Sequence, residues 1–164
     1  MLSNKTISII NKVVEGKIKK AELKTVNRKT ITSATSKTKL TIENGIVTVN
    51  KTHKPSVATL HSKGNLYRTV RAVWDLTKAL DVELAENDVK LHVDKYVNAV
   101  RADDNPNTFS EKVVLKESTA KHKVLNKDVK VDYVIIGARL VEDTVIPFIE
   151  CNYIAELEVG NNED

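Results

Sequence analysis

Four histidines and one cysteine are the residues of this chain best suited to metal binding, proton transfer or nucleophilic attack. His53, His61, His92 and His122 are scattered. No two stand at i, i+2 on a strand or i, i+4 on a helix, the short spacings that bring imidazoles onto one ion. His53 and His61 flank one loop and can meet by folding, but a metal needs a third ligand that the sequence does not name. Cys151 falls in phase with Ile149 and Tyr153 on an alternating apolar run, which points its thiol into a core rather than toward a base. Asp103-Asp104 sits among Asn and Pro in ADDNPNTFS, where acids serve as turn formers. Glu156 and Glu158 share one strand face near the end of the chain and read as a solvated edge. The five glycines (16, 45, 64, 137 and 160) are isolated, so no glycine-rich phosphate cradle is present. No nucleophile, base and orienting group can be assembled. The expectation is no enzyme, with no catalytic, cofactor-binding or metal residue and no small-molecule substrate.

Charge is the other feature able to carry function. The net +4 of the chain conceals +9 over residues 1–60 and −5 over residues 61–164. A basic front and an acidic rear suit a polyanion-binding arm, head-to-tail self-association, or an ordinary solvated surface. On the first reading Lys17, Lys19, Lys20, Lys24, Arg28, Lys29, Lys37 and Lys39 neutralise phosphates. Residues 1–60 contain no Phe, Trp or Tyr, however, so the stacking platform of a single-strand binder is missing.

The elements that must position these groups are mostly strands. Of 164 residues, 49 are Val, Ile or Thr, whose stiff branched side chains pack well on a pleated surface. The clearest local signal is KTKLTIENGIVTVN. Asn44-Gly45 between alternating apolar residues predicts a two-residue hairpin turn. It pairs Glu43 with Ile46, Ile42 with Val47, Thr41 with Thr48 and Leu40 with Val49, burying Leu40, Ile42, Val47 and Val49. Upstream, Ile7, Ile9, Ile10, Val13 and Val14 fit a strand or a short helix; strands are expected over 5–14, 17–26 and 29–35.

Residues 51–63 read as a loop. LYRTVRAVWDLTKAL predicts a helix near 65–80, capped by Asn65, with Leu66, Val70, Val73, Trp74 and Ala79 toward the sheet. Residues 86–101 fit both a helical and an alternating template, and their β-branched content tips them to strand. After a loop at 102–110 and a short strand at 112–116, Val129, Val131, Tyr133 and Ile135 alternate with a second set. That set turns apolar at Val134 and Ile136, as in a strand buried on both faces. Val145, Pro147, Ile149, Cys151, Tyr153, Ala155, Leu157 and Val159 form one face of a long alternating run, and Pro147 implies an edge or a bulge. The fold class expected is mainly β with one helix (α+β): an antiparallel sandwich or barrel of seven to nine strands. It forms a single domain over 1–160, with 161–164 frayed.

No stretch approaches the roughly 18 apolar residues of a membrane span, and no secretory leader is evident, so synthesis in the cytoplasm is expected. Across its length the chain resembles small structural proteins of tailed phages of Gram-positive bacteria. KTKLTIENGIVTVNKT and VKVDYVIIGARLVEDTVIPFIECNYIAELEV carry that texture. The resemblance implies a non-enzymatic tail or receptor-binding-assembly module, homo-oligomeric or built into a larger particle, with protein partners. Nonspecific nucleic-acid binding is the alternative.

Overall fold

The computed structural model describes residues 3–16, 28–56, 61–62, 66–101, 108–113, 118–141 and 144–158. These form helices α1 (Asn4–Val14), α2 (Leu66–Lys78) and α3 (Glu86–Arg101). The strands are β1 (Arg28–Thr32), β2 (Ser36–Glu43), β3 (Ile46–His53), β4 (His61–Ser62), β5 (Val82–Glu83), β6 (Thr108–Val113), β7 (Thr119–His122), β8 (Lys127–Val141) and β9 (Thr144–Glu158). All pairings are antiparallel, in the order β1-β2-β3-β9-β8-β7-β5, with β4 added to β9 and β6 to β8. The mainly β, α+β class is as expected.

Among the described residues three helices, not one, accompany the sheet. Residues 5–14 are helical because Ser3 caps them, its hydroxyl accepting from the Thr6 amide at 3.1 Å. Ile7, Ile10, Val13 and Val14 then form one buried stripe. Residues 86–101 are also a helix: Glu86 and Asp88 favour its N-terminus, and Val89 and Val93 are buried one turn apart. The strand template needed Leu91 inside, but it is 55% exposed. On α2 the buried stripe is Thr69, Ala72, Val73 and Leu76, so Val70 and Trp74 lie at its margin, only partly buried. The expected strand at 17–26, Asn65 and the tail fall outside the described residues. Strand β1 stops at Thr32, short of residue 35, where Ser33 turns the chain by bonding to Ser36.

The β2–β3 hairpin has the expected register from Glu43–Ile46 onward. Asn44 (φ 51°) and Gly45 (φ 77°) are both left-handed, as the tight turn requires. Leu40, Val47 and Val49 are buried, and Ile42 partly so. Pairing with β2 carries β3 on to His53, and His61–Ser62 is strand, so the loop expected at 51–63 starts later and is interrupted. Similarly, Thr108–Ser110 pair with β8 instead of forming loop.

The two apolar phases of β8 belong to one face. Lys130 pairs with Ile154 and Val131 with Tyr153, but the next partner, Asn152, meets Tyr133. Asp132 is the extra residue of a bulge, and it shifts the pleat by one. Val129 and Val131 before it, and Val134, Ile136 and Ala138 after it, therefore all bury against the helices. On β9, Pro147, Ile149, Cys151, Tyr153 and Ala155 form the expected inward face. Pro147 lies between the stretches paired by β4 and β3, where no described strand uses that side. Below Lys130 and Ile154, β8 follows β7 while β9 follows β3, leaving a cleft of about 690 Å³. Lys127 spans it to the carbonyl oxygen of Glu156.

Deleting Asp132 would put either Val129 and Val131 or Val134 and Ile136 on the wrong face, and each buried side chain of this kind is worth about 1.5–3 kcal/mol. The deletion variant is expected to lose the cooperative urea transition seen by circular dichroism. Asp132→Ala, at an exposed position, should stay within about 0.5 kcal/mol of the parent. A parent-like transition in the deletion variant would refute the role of the bulge.

Candidate functional site: a buried lysine, carboxylate and histidine centre

Inward alternation on β3 does not stop at Val49; it continues to Lys51 and His53, both buried. Lys51 is fully buried, and an ammonium without water must find oxygen acceptors. It donates to the carbonyl oxygen of Val13, at the end of α1, at 2.6 Å. It also donates to Asp81 Oδ2 at 2.5 Å, on the turn between α2 and β5. Val13 is in the last turn of its helix, where carbonyls lack intrahelical partners and favour a cation.

Asp81 Oδ2 takes a second hydrogen bond, from Tyr153 Oη at 2.7 Å. Tyr153 in turn meets His122 Nε2 at 3.0 Å. The amides of Val124 and Leu125 donate to His122 Nδ1 at 3.2 and 3.1 Å, which makes Nδ1 an acceptor and puts the ring proton on Nε2. The proton order is therefore fixed: imidazole to phenol, phenol to carboxylate. The turn over 123–126 that supplies those amides has Asn126 in the left-handed region, φ 53°.

Glu15 closes the other side. It follows α1 in a left-handed conformation (φ 55°, ψ 45°), with the Gly16 amide bonded back to Asn11. Its Oε2 accepts from the hydroxyls of Ser33, Thr35 and Ser36 at 3.2, 3.1 and 3.0 Å. His53 lies between the two carboxylates, with Nδ1 3.6 Å from Asp81 Oδ1 and Nε2 3.9 Å from Glu15 Oε1.

Burial pushes the Asp81 carboxyl up, but the Lys51 hydrogen bond and charge, with Tyr153 and His53, outweigh it and hold it below 3.8. Burial likewise raises Glu15, yet Lys51, the Ser36 and Thr35 hydroxyls and His53 bring it below 4.5. His53 and His122 are both lowered from 6.5, chiefly by burial, with the pull of Asp81 only partly restoring them and Lys51 adding to the fall. Burial, then Asp81, pushes the Cys151 thiol up to about 12, and burial drives the Tyr153 phenol upward too. Cys151 is thus a core thiol, fully buried, as its phase implied. The centre can hold charge, relay a proton along one chain of hydrogen bonds and anchor elements. It offers no activated nucleophile.

Of the residues singled out from sequence, His53 and His122 meet here through Asp81, whereas His92 is buried on α3 and His61 pairs with Val145 in β4. Glu156 and Glu158 are exposed on β9, opposite Thr48 and Ile46. Asp103-Asp104, Lys17, Lys19, Lys20 and Lys24 lie outside the described residues. In β1, Arg28 is in register with Thr41 and Lys29 with Leu40. Lys37 and Lys39 are exposed on the outer face of β2. Their register leads to Thr52 and Asn50, which both hydrogen-bond Asn152. Beyond it, Tyr133 donates to Glu150 at 2.6 Å, and Lys54 meets the same carboxylate at 2.8 Å. Sequence reading missed Glu15, Lys51, Asp81 and Tyr153 as a group. The one available signal was the unbroken alternation Val47, Val49, Lys51, His53. Protein-family models, curated proteins and solved structures give no match to this chain.

The depressed histidines set a pH window. A group whose folded pKa is lowered contributes stability above its unfolded value and loses it as pH falls toward the folded one. The melting temperature should therefore be flat above about pH 7.5, start to fall as pH drops through 6.5, and fall further below about 4.5 as Glu15 and Asp81 protonate. Calorimetry from pH 8 to 4 tests this, and a melting temperature that rises between pH 7 and 5.5 would contradict it.

Proposed function

We propose that the protein is a non-enzymatic structural or protein-interaction module, its sheet rolled into a sandwich-like or barrel-like body, working as a homo-oligomer or within a larger particle. One observation carries this reading: Lys51, Asp81, Tyr153 and His122 spend their bonding on one another and on the backbone. Lys51 is enclosed by Val13, Asp81 and the sheet, both nitrogens of His122 are engaged, and Cys151 is a buried thiol at about 12. Such a centre fixes geometry between elements. The cleft where β8 and β9 part adds support, since among the described residues 127–129 and 155–158 lack ladder partners on the sides facing each other. Unpaired strand edges accept a strand from another chain.

The tailed-phage resemblance supplies a setting for this proposal: a chain made in the cytoplasm and assembled into a virion or tail. No described helix is long and apolar enough to cross a membrane. A second reading, nonspecific nucleic-acid binding, is favoured by Lys37 and Lys39, exposed side by side beside the amide and hydroxyl groups of the outer face.

Sedimentation velocity separates the two. The assembly reading predicts species at multiples of 18.3 kDa that ignore an added labelled oligonucleotide. A chain that stays at 18.3 kDa at every concentration contradicts assembly. Oligonucleotide that co-sediments at about 50 mM salt, is released at about 200 mM, and is lost in Lys37→Glu/Lys39→Glu would establish the second reading instead.

A further inference from the structure

His53 carries an unmet requirement. Its ring is 4% exposed, and Nδ1 is buried without a hydrogen-bond partner. A buried polar nitrogen in that state is costly and demands a reason. What faces it is Asp81 Oδ1 at 3.6 Å, too long for a hydrogen bond. That separation is close to the edge of a tetrahedron with metal–ligand bonds of about 2.0–2.1 Å, which is about 3.4 Å. One donor atom each from Glu15, His53 and Asp81 lies within 4.8 Å of the others.

The outer hydrogen bonds prepare these atoms. Lys51 and Tyr153 occupy Asp81 Oδ2, leaving Oδ1 toward the imidazole. Three hydroxyls occupy Glu15 Oε2, leaving Oε1 toward the same ring. Orienting partners of this kind are what metal-ligating carboxylates ordinarily have. Charge agrees in sign: two carboxylates against Lys51 leave one negative charge around a neutral imidazole. Glu15, its side chain 37% exposed against 18% for Asp81, is the member of the three nearest solvent.

We propose that Glu15, His53 and Asp81 bind a divalent transition-metal ion of the zinc type, through one carboxylate oxygen each and His53 Nδ1, with Glu15 Oε1 turning to the ion from its place 3.9 Å from Nε2 and water completing the tetrahedron. The ion would clamp the end of α1, the end of β3 and the α2–β5 turn. This goes beyond the assembly reading and does not depend on it. The carboxylates are hard enough to accept Mn²⁺ as well, but a compact site with an imidazole favours zinc.

The test uses the full chain without an affinity tag, stripped with chelator and titrated with Zn²⁺ by calorimetry, and in parallel with Co²⁺ followed by visible absorption. The expected result is one Zn²⁺ per chain, an intense tetrahedral Co²⁺ band and a raised melting temperature. Affinity should fall about ten-fold or more in Glu15→Gln, and stoichiometric binding should vanish in His53→Gln. Glu43→Gln, exposed on the hairpin, should bind as the parent does. Because His53→Gln alters a buried position, Glu15→Gln, at a partly exposed one, provides the independent check. A parent chain that takes up no stoichiometric zinc overturns the proposal. So does zinc retained unchanged by both Glu15→Gln and His53→Gln, which would place it elsewhere.

Discussion

An ammonium group with no access to water governs this structure. Lys51 lies on the inward face of a central strand, among residues such as Val49 and Tyr153, and its desolvation costs several kcal/mol unless oxygens replace the lost water. The acceptors come from distant parts of the chain: Val13 closes α1, and Asp81 closes the turn after α2. Asp81 then fixes Tyr153 on β9, and Tyr153 engages His122 on β7. Five elements are held in one arrangement by the need to satisfy one charge. A hydrophobic residue at Lys51 would fill the space without choosing among helix orientations, whereas the ammonium accepts only an arrangement that brings both oxygens to it.

That constraint explains why the helices sit where they do. The end of α1 must approach β3 closely enough for a backbone carbonyl to reach Nζ, which puts Glu15 beside His53 and the 33–36 turn. The left-handed Glu15 follows from the same placement, and its three hydroxyl donors offset a backbone conformation costing about 1–2 kcal/mol. The bulge at Asp132 serves the sheet in a parallel way. It keeps the inner face of β8 apolar on both sides of Tyr133, so that Tyr153, paired with Val131, lies on a continuous floor.

Strong local signals were legible in the sequence. Asn44-Gly45 fixed the hairpin because few residue pairs tolerate two left-handed positions, and the alternation from Ile149 to Ala155 fixed the inward face of β9. Less was legible where two templates fit the same residues. For 5–14 the decision lay in Ser3, a cap outside the apolar pattern, and for 86–101 in acids at the helix start, while β-branched content favoured strand in the latter. The centre itself was hidden by polarity. Lys51 and His53 look like loop residues because lysine and histidine are seldom inward-facing, and Asp81 is a lone acid after a helix. Their meeting is a tertiary fact, set by pairs separated by 30 residues or more.

The most direct test of the lysine's role is a double-mutant cycle over Lys51→Met, Asp81→Asn and the pair, with stability read from urea unfolding. If Lys51 and Asp81 are the tie that organises the fold, Lys51→Met alone costs about 3–5 kcal/mol, because it leaves the carboxylate without its buried cation. The double variant is then more stable than the two single losses sum to, with a coupling of about 1.5 kcal/mol or more. A cost under about 1 kcal/mol for Lys51→Met, with additive single and double changes, would contradict it and make the centre a passenger of apolar packing.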